Sequence, residues 1–264
     1  MKNFKISIFC LFLMGFSIAH AMDDVNVYST GNNNIGVING RLIINGRLIN
    51  GRRAPMYGLN SNLGKIKRED KSEVLTNTNV IGIRLSGVGK VSLHQGETES
   101  LVIVANENIL PNVITRVNGN ILELGVEGAF GGEIMLIYHI TLRNIHEISC
   151  SGCGKIINIG NINTDKLEIS CSGCGEIKIS NLVANIFKVN ISESANVSAS
   201  GGDSLVTTVN NQIIEIYDSG EYDAINLHCV NSSVNVSSCG EASISTINLS
   251  QSVSPCGNIS VNRL

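Results

Sequence analysis

The word Cys150-Ser-Gly-Cys153-Gly154 returns 21 residues later as Cys171-Ser-Gly-Cys174-Gly175, and degenerate copies run through the rest of the chain. Anchored on the final glycine, the equivalent positions are Gly89, Gly154, Gly175, Ala195, Gly220, Gly240 and Gly257. The last five steps are 21, 20, 25, 20 and 17 residues. A step of roughly 20 residues filled with strand-like sequence is the mark of a stacked solenoid, in which each turn buries its apolar face only against its neighbours. The glycines of the column are expected to sit in the turns. Gly175 is the test position, since a turn that needs positive φ there would make any side chain cost about 1 kcal/mol or more.

The residues around each word alternate with period 2, as a strand with one buried face requires. Before the turn stand Ile83-x-Leu85, Ile148-x-Cys150, Ile169-x-Cys171, Val189-x-Ile191, Ile214-x-Ile216 and Val234-x-Val236. After it come Val91-x-Leu93, Ile177-x-Ile179, Val197-x-Ala199, Tyr222-x-Ala224, Ala242-x-Ile244 and Ile259-x-Val261. The rung at Ile156-Ile157-Asn158-Ile159 puts a polar residue where the column wants an apolar one, so a bulge is expected there. Leu101 to Val104, Val113 to Val117 and Ile121 to Val126 also alternate and are expected to form a wider, less regular coil.

Ahead of the repeats, Lys2 and Lys5 precede an apolar run from Ile6 to Ile18, and Ala19-His20-Ala21 has the small-x-small form of a signal-peptidase site. Residues 1–21 are therefore expected to be a signal peptide. Cys10 lacks the small residues that should precede a lipidated cysteine, and no later stretch reaches the roughly 18 apolar residues of a membrane span. The expected location is the periplasm, the cell surface or the medium. Residues 22–78 differ in character from the repeats: Ile38-Asn-Gly-Arg41, Ile44-Asn-Gly-Arg47 and Ile49-Asn-Gly-Arg52 stutter, and a charge-dense run extends from Lys65 to Glu73. Asn-Gly is a strong hairpin turn signal. The segment reads either as a flexible low-complexity arm or as a small β-ribbon that caps the solenoid or meets a partner. The folded domain is expected over 79–264.

Of the 19 basic residues two lie in the signal, which leaves 17 against 22 acidic ones and a net charge of −5. That balance is too acidic and too diffuse for a nucleic-acid footprint. No tryptophan is present and aromatics are 4%, so a large aromatic pocket is not expected either.

The run Glu107-Asn-Ile-Leu-Pro-Asn-Val-Ile-Thr-Arg-Val-Asn-Gly-Asn-Ile-Leu122, then Ile140-Thr-Leu-Arg-Asn-Ile145, then serial Ser-Gly-x-Gly words, resembles the auto-transporter adhesin head, or GIN, domain of bacteria. The resemblance covers roughly Asn79 to Leu264. It implies an exported protein with a single-stranded right-handed parallel β-helix fold and no established catalytic residues. Two departures stand out: cysteine replaces serine in several words, and there is no C-terminal β-barrel or stalk heptad of a self-exporting adhesin.

The cysteines are the place to look for chemistry. Cys150-x-x-Cys153 and Cys171-x-x-Cys174 have the spacing of a four-thiolate zinc site. Other rungs, however, fill the position of Cys150 and Cys171 with Leu85, Ile191, Ile216, Val236 and Val253, so these two read as core thiols, a role free cysteine takes readily. Cys153, Cys174, Cys239 and Cys256 belong to the turn, and vertical neighbours in a parallel ladder lie near the separation a disulfide accepts. Inter-rung bridges Cys153 to Cys174 and Cys239 to Cys256, an inert thiol ladder and a zinc site all remain open, with export favouring oxidation. Seven mature cysteines leave one unpaired, and Cys229 is the candidate.

Lys155 and Glu176 are expected to attract across rungs, a pair worth at most about 1 kcal/mol when exposed. Asp218, Glu221 and Asp223 come closest to the clustered carboxylates of a polysaccharide lyase or glycosidase, yet no lysine or arginine lies between Lys188 and Arg263. The histidines are scattered. The sequence therefore reads as a non-enzymatic exported module, without cofactor or metal, that presents a repetitive polar face to a glycan or protein. A carbohydrate-active enzyme and a structural envelope protein are the alternatives.

Overall fold

The computed structural model describes residues 25–30, 33–38, 41–44, 47–48, 65–128, 134–202 and 208–264. The chain divides into two compact units between Leu59 and Asn60. The signal segment 1–21 and the Asn-Gly turns at 39–40 and 45–46 lie outside the described residues. In the first unit β1 (Val25–Thr30), β2 (Asn33–Ile38), β3 (Arg41–Ile44) and β4 (Arg47–Leu48) pair in sequence, each antiparallel to the next.

The second unit is all β apart from two 3-10 turns, with no α-helix among the described residues. It begins inside the stretch read as an arm. β5 (Ile66–Asp70) and the 3-10 turn Ser72–Leu75 belong to it, because β5 pairs with a later strand and Leu75 is buried in the core. There follow β6 (Gly82–Gly87), β7 (Lys90–Gln95), β8 (Ser100–Asn106), a second 3-10 turn at Leu110–Asn112, β9 (Val113–Asn118), β10 (Ile121–Val126) and β11 (Leu136–Leu142). The repeats then supply β12 (Glu147–Gly152), β13 (Lys155–Ile159), β14 (Ile162–Cys171), β15 (Glu176–Ile179), β16 (Leu182–Ile191), β17 (Asn196–Ala199), β18 (Val209–Ile216), β19 (Glu221–Val236), β20 (Glu241–Val253) and β21 (Asn258–Arg263).

Two parallel ladders run through the repeats. Before the turn, β6, β12, β14, β16, β18 and the later halves of β19 and β20 pair in that order. After it the order is β7, β13, β15, β17, the first halves of β19 and β20, then β21. The register follows the words: Cys150 lies opposite Cys171, Cys171 opposite Ile191, Ile191 opposite Ile216 and Ile216 opposite Val236. The sheet is not parallel throughout, however. β8 pairs antiparallel with β5 and β11, and β9 with β10. The segments expected as a wide coil are therefore antiparallel strands. Their physical reason is local: Asn118-Gly119, with Gly119 at φ +61°, turns β9 straight back into β10, and a tight connection can only join antiparallel neighbours.

The expected bulge at Asn158 is absent. Lys155, Ile156 and Ile157 pair in step with Glu176, Ile177 and Lys178, and Asn158 itself lies opposite Leu93. The buried amide is satisfied instead: Asn158 Nδ2 donates to the carbonyls of Gly160 and Ser180 at 2.8 Å each, and Oδ1 accepts from Ser180 N–H at 2.7 Å. A fully paired polar group removes the penalty that would have pushed the strand out of register. The register shift that does occur lies between Ala224 and His228.

Ile148, Ile169, Val189, Ile214 and Val234 form one fully buried column, and Val91, Ile156, Ile177, Val197, Tyr222 and Ala242 another. Burying one such aliphatic side chain is worth about 1.5–3 kcal/mol, against about 1 kcal/mol at most for an exposed ion pair such as Lys155 to Glu176, whose Nζ and Oε2 are 2.5 Å apart. The columns hold the stack, and the surface charges ornament it.

Candidate functional site

The repeated word places each of its residues for a different reason. The first residue points into the core, the middle one makes the turn, and the last must leave room. Positive φ occurs at the middle position, in Gly87, Gly152, Gly173, Glu193 and Asp218, rather than at the final glycine, where only Gly89 of the column has it. Gly175 therefore does not owe its identity to φ, and Gly154, Gly220, Gly240 and Gly257 owe theirs to space.

A Cβ on Gly154 would stand 2.5 Å from Leu85 Cδ2, on Gly220 2.3 Å from Ile191 Cγ2, on Gly240 2.4 Å from Ile216 Cγ2 and on Gly257 2.7 Å from Val236 Cγ1. In every case the obstacle is the first residue of the preceding word. Where that residue is a cysteine the space opens: the Gly175 contact to Cys150 Sγ is 3.1 Å. The word above Cys171 carries Ala195, itself fully buried. Cys150 and Cys171 are thus small core residues that relax the glycine requirement one repeat further on.

Cys150, Cys171 and Cys229 are free and buried. Burial pushes the Cys229 thiol up to about 12. The hydrogen bond with Cys150, followed by burial, holds the Cys171 proton on well above the ordinary thiol range. Cys171 and Cys229 are therefore not poised as thiolate nucleophiles, whereas the hydrogen bond with Cys171 lowers the buried Cys150 thiol from its ordinary range. Cys153 lies beside Cys174 and Cys239 beside Cys256, with Cα atoms 4.7 Å apart in each pair, within the separation a disulfide spans.

The structure does not gather the candidate carboxylates into one site. Asp218 occupies a turn and its Oδ2 accepts from Glu193 N–H at 3.3 Å. Glu221 accepts from Asn196 Nδ2 at 3.1 Å, and Asp223 from Ile225 N–H at 3.4 Å. His94 and His146 bond to the carbonyls of Ile159 and Lys166. No group of three metal-ligating side chains occurs among the described residues.

What the ladder does build is a regular polar surface. Ser170, Asn190, Glu215, Asn235 and Ser252 stand in one outward column across β14, β16, β18, β19 and β20. Two amide ladders run beside each other nearby. Asn185 Nδ2 donates to Asp165 Oδ1, and Asn210 Nδ2 to Asn185 Oδ1, both at 3.2 Å. Asn231 Nδ2 donates to Asn211 Oδ1 at 3.1 Å and Asn248 Nδ2 to Asn231 Oδ1 at 3.0 Å. Each amide bonded this way keeps a second N–H and a lone pair for solvent or a ligand. Sequence reasoning missed these ladders, although Asn211, Asn231 and Asn248 recur at steps of 20 and 17 residues, the same steps as the words.

The family model described as “Putative auto-transporter adhesin, head GIN domain” matches residues 80–262. The chain belongs to this family. Solved structures agree on the fold of the GIN domain. A “putative adhesin” from Bacteroides fragilis superposes with a TM-score of 0.62 at 19% identity, over 75% of this chain and 97% of that one. A “putative lipid binding protein” from Parabacteroides distasonis gives 0.54 at 15% identity over 76% and 96%, and a “putative adhesin” from the same organism 0.53 at 15% over 75% and 98%. At such identities the likeness is one of fold. No curated protein matches the chain in sequence. No helix among the described residues is long and apolar enough to cross a membrane.

Proposed function

We propose that this GIN domain is an exported, non-enzymatic adhesion module whose outward polar columns bind a glycan or a protein surface. The observation that carries the reading is the pair of amide ladders, which offer hydrogen-bonding groups at the strand spacing of roughly 4.8 Å over three successive strands each. Such an array suits a ligand that is itself repetitive and rich in hydroxyl or amide groups. In the same reading the parallel ladders are the faces of a single-stranded right-handed β-helix, a reading supported by the in-register pairing of successive words. Residues 1–21 act as the export signal, the ribbon-bearing segment from residue 22 precedes the GIN domain, and the two cysteine bridges form in the oxidising compartment that export reaches.

A glycan array combined with cleavage assays on anionic polysaccharides tests the proposal. Binding without turnover, weakened in a triple Asn211→Ala, Asn231→Ala, Asn248→Ala variant that keeps its melting temperature, is the expected result. Turnover in the wild type that disappears when Asp218, Glu221 and Asp223 are replaced together would refute it.

A further inference from the structure

Each of the two ladders ends, on its antiparallel side, in a strand with a free edge. Among the described residues β5 pairs only with β8, and β9 only with β10. Between these two edges lies a cleft of about 530 Å³, lined by Lys67, Arg68, Ile103, Leu110, Val113 and Thr115 among others. The Ser72–Leu75 turn packs on β8 and β9 near one end, and Leu110 and Pro111 of the second 3-10 turn line the other.

The backbone phase of both edges can be read from their ladders. Lys71 N–H donates to the Leu101 carbonyl and Glu107 N–H to the Lys65 carbonyl, so the odd-numbered residues around β5 turn their peptide groups toward β8. The alternation of an antiparallel pair then turns the N–H and C=O of Arg68 into the cleft. Glu127 N–H donates to the Asn112 carbonyl, so by the same alternation Val113 and Thr115 turn their peptide groups away from β10 and into the cleft from the other side.

The side chains divide the same way. Lys67 and Glu69 stand across from Ala105 and Ile103 on the inward face, and both are neutralised: Lys67 Nζ is 2.5 Å from Glu107 Oε1, and Glu69 Oε1 is 2.7 Å from Lys71 Nζ. Arg68 lies on the opposite face, exposed, with no ion pair among the described residues. A strand occupies roughly 160 Å³ per residue, from a 3.3 Å rise, a 4.8 Å spacing and a 10 Å thickness. The cleft therefore has room for about three residues of extended chain.

We propose that this cleft is a binding site for an extended peptide of a partner protein, added as a strand between β5 and β9. Its central residue is acidic and lies beside Arg68. The residues on either side of it are apolar and turn inward onto Ile103 and Leu110. This is recognition by strand addition, in which the backbone supplies affinity and alternate side chains supply specificity. It uses the end of the domain opposite to the later repeats and does not depend on what the polar columns bind.

A phage-displayed library of seven-residue peptides, selected against the full chain, is the probe. The expected consensus is apolar, then Asp or Glu, then apolar. A synthetic copy of the selected peptide should slow amide exchange at Arg68, Val113 and Thr115 and leave Lys67 and Glu69 unchanged. Thr115→Pro deletes one edge donor at a position where an edge strand tolerates proline, and should weaken the peptide about tenfold, the scale of one lost hydrogen bond in a dry site. Arg68→Glu, an exposed change that does not threaten folding, should move the selected central residue from acidic to basic. Absence of any enriched peptide overturns the proposal, as does protection confined to the polar columns. A consensus unmoved by Arg68→Glu overturns it too. Protection of the three amides by dodecanoate but by no peptide would make the cleft a lipid site instead.

Discussion

Replacing Gly220 by alanine tests the packing of the repeated word most directly. The added methyl would meet Ile191 Cγ2 at 2.3 Å, far inside contact distance, and both residues sit in a close-packed interior. Overpacking of this kind costs about 1–3 kcal/mol. Gly220 is not among the glycines with positive φ, so alanine also gains about 0.4–1 kcal/mol from the stiffer unfolded chain. The net loss should be about 1–2 kcal/mol. For a folded unit spanning Asn60–Leu264 that is a fall of about 2–8 °C in melting temperature. Gly175→Ala meets only the thiols of Cys150 and Cys171 and the Ser172 carbonyl, at 3.1, 3.2 and 3.3 Å, and should shift the midpoint by no more than about 2 °C. Combining Gly220→Ala with Ile191→Cys recreates the arrangement of Cys171 beneath Ala195, and the pair should be less destabilised than the two single changes predict, by about 0.5–3 kcal/mol. Thermal melts of the four variants by circular dichroism decide it. Equal melting temperatures for Gly175→Ala and Gly220→Ala, or strict additivity in the double variant, would refute the argument that the first residue of one word sets the last residue of the next.

Glu193 holds φ +60° at the turn position where three other words carry Gly87, Gly152 and Gly173. Glu193→Gly should therefore stabilise by about 0.5–1 kcal/mol, read as a higher denaturant midpoint, and a lower one would contradict the turn assignment. Cys171, held protonated by its hydrogen bond with Cys150 and then by burial, and Cys229, held so by burial, should resist iodoacetamide at neutral pH until the protein is unfolded, and rapid labelling of either in native protein, located by peptide mapping, would show that their surroundings do not suppress ionisation. Hydrogen bonds from Arg116 and then Asn118 hold the Glu123 carboxyl below its ordinary value of 4.5. Because the folded pKa is the lower one, the stabilisation is complete above that value and lost as pH falls through the folded pKa. Glu123→Gln should thus melt below the wild type near neutral pH, with the gap closing in acid, and a gap that persists unchanged in acid would remove the carboxylate from the explanation.

The repeats were legible because strand and word share one period. A buried first residue, a turn and a small last residue recur in order, so aligning words at Gly154, Gly175 and Gly220 amounts to aligning strands, and the pairs Lys155 to Glu176 and Glu176 to Asn196 follow. The role of each glycine was not legible, since a sequence does not say whether glycine stands for a dihedral or for missing volume. The two were interchanged within the word. Asn158 misled because a polar residue in an apolar column looks like a slip until its partners, Gly160 and Ser180, are seen to fold back on it. The antiparallel end was hidden for another reason. Alternation looks the same in parallel and antiparallel strands, and the charges from Lys65 to Glu73 masked the strand Ile66–Asp70 as solvated arm. One of the ion pairs that neutralise those charges joins positions far apart in the chain, Lys67 and Glu107.

The two cysteine bridges proposed above are unevenly placed, and tension reveals the consequence. Pulled from its ends, a stack of paired strands yields by losing hydrogen bonds one strand at a time, but a covalent link across neighbouring strands does not yield. The stretch from Cys174 to Cys239, 65 residues containing the words at Ser192 and Tyr217, holds no such link and can release roughly 220 Å of thread at full extension. The 21- and 17-residue loops inside the bridges stay hidden and add their roughly 130 Å only after reduction. The stretch between the two bridges thus acts as a fuse, lengthening under load before either covalent link is tested.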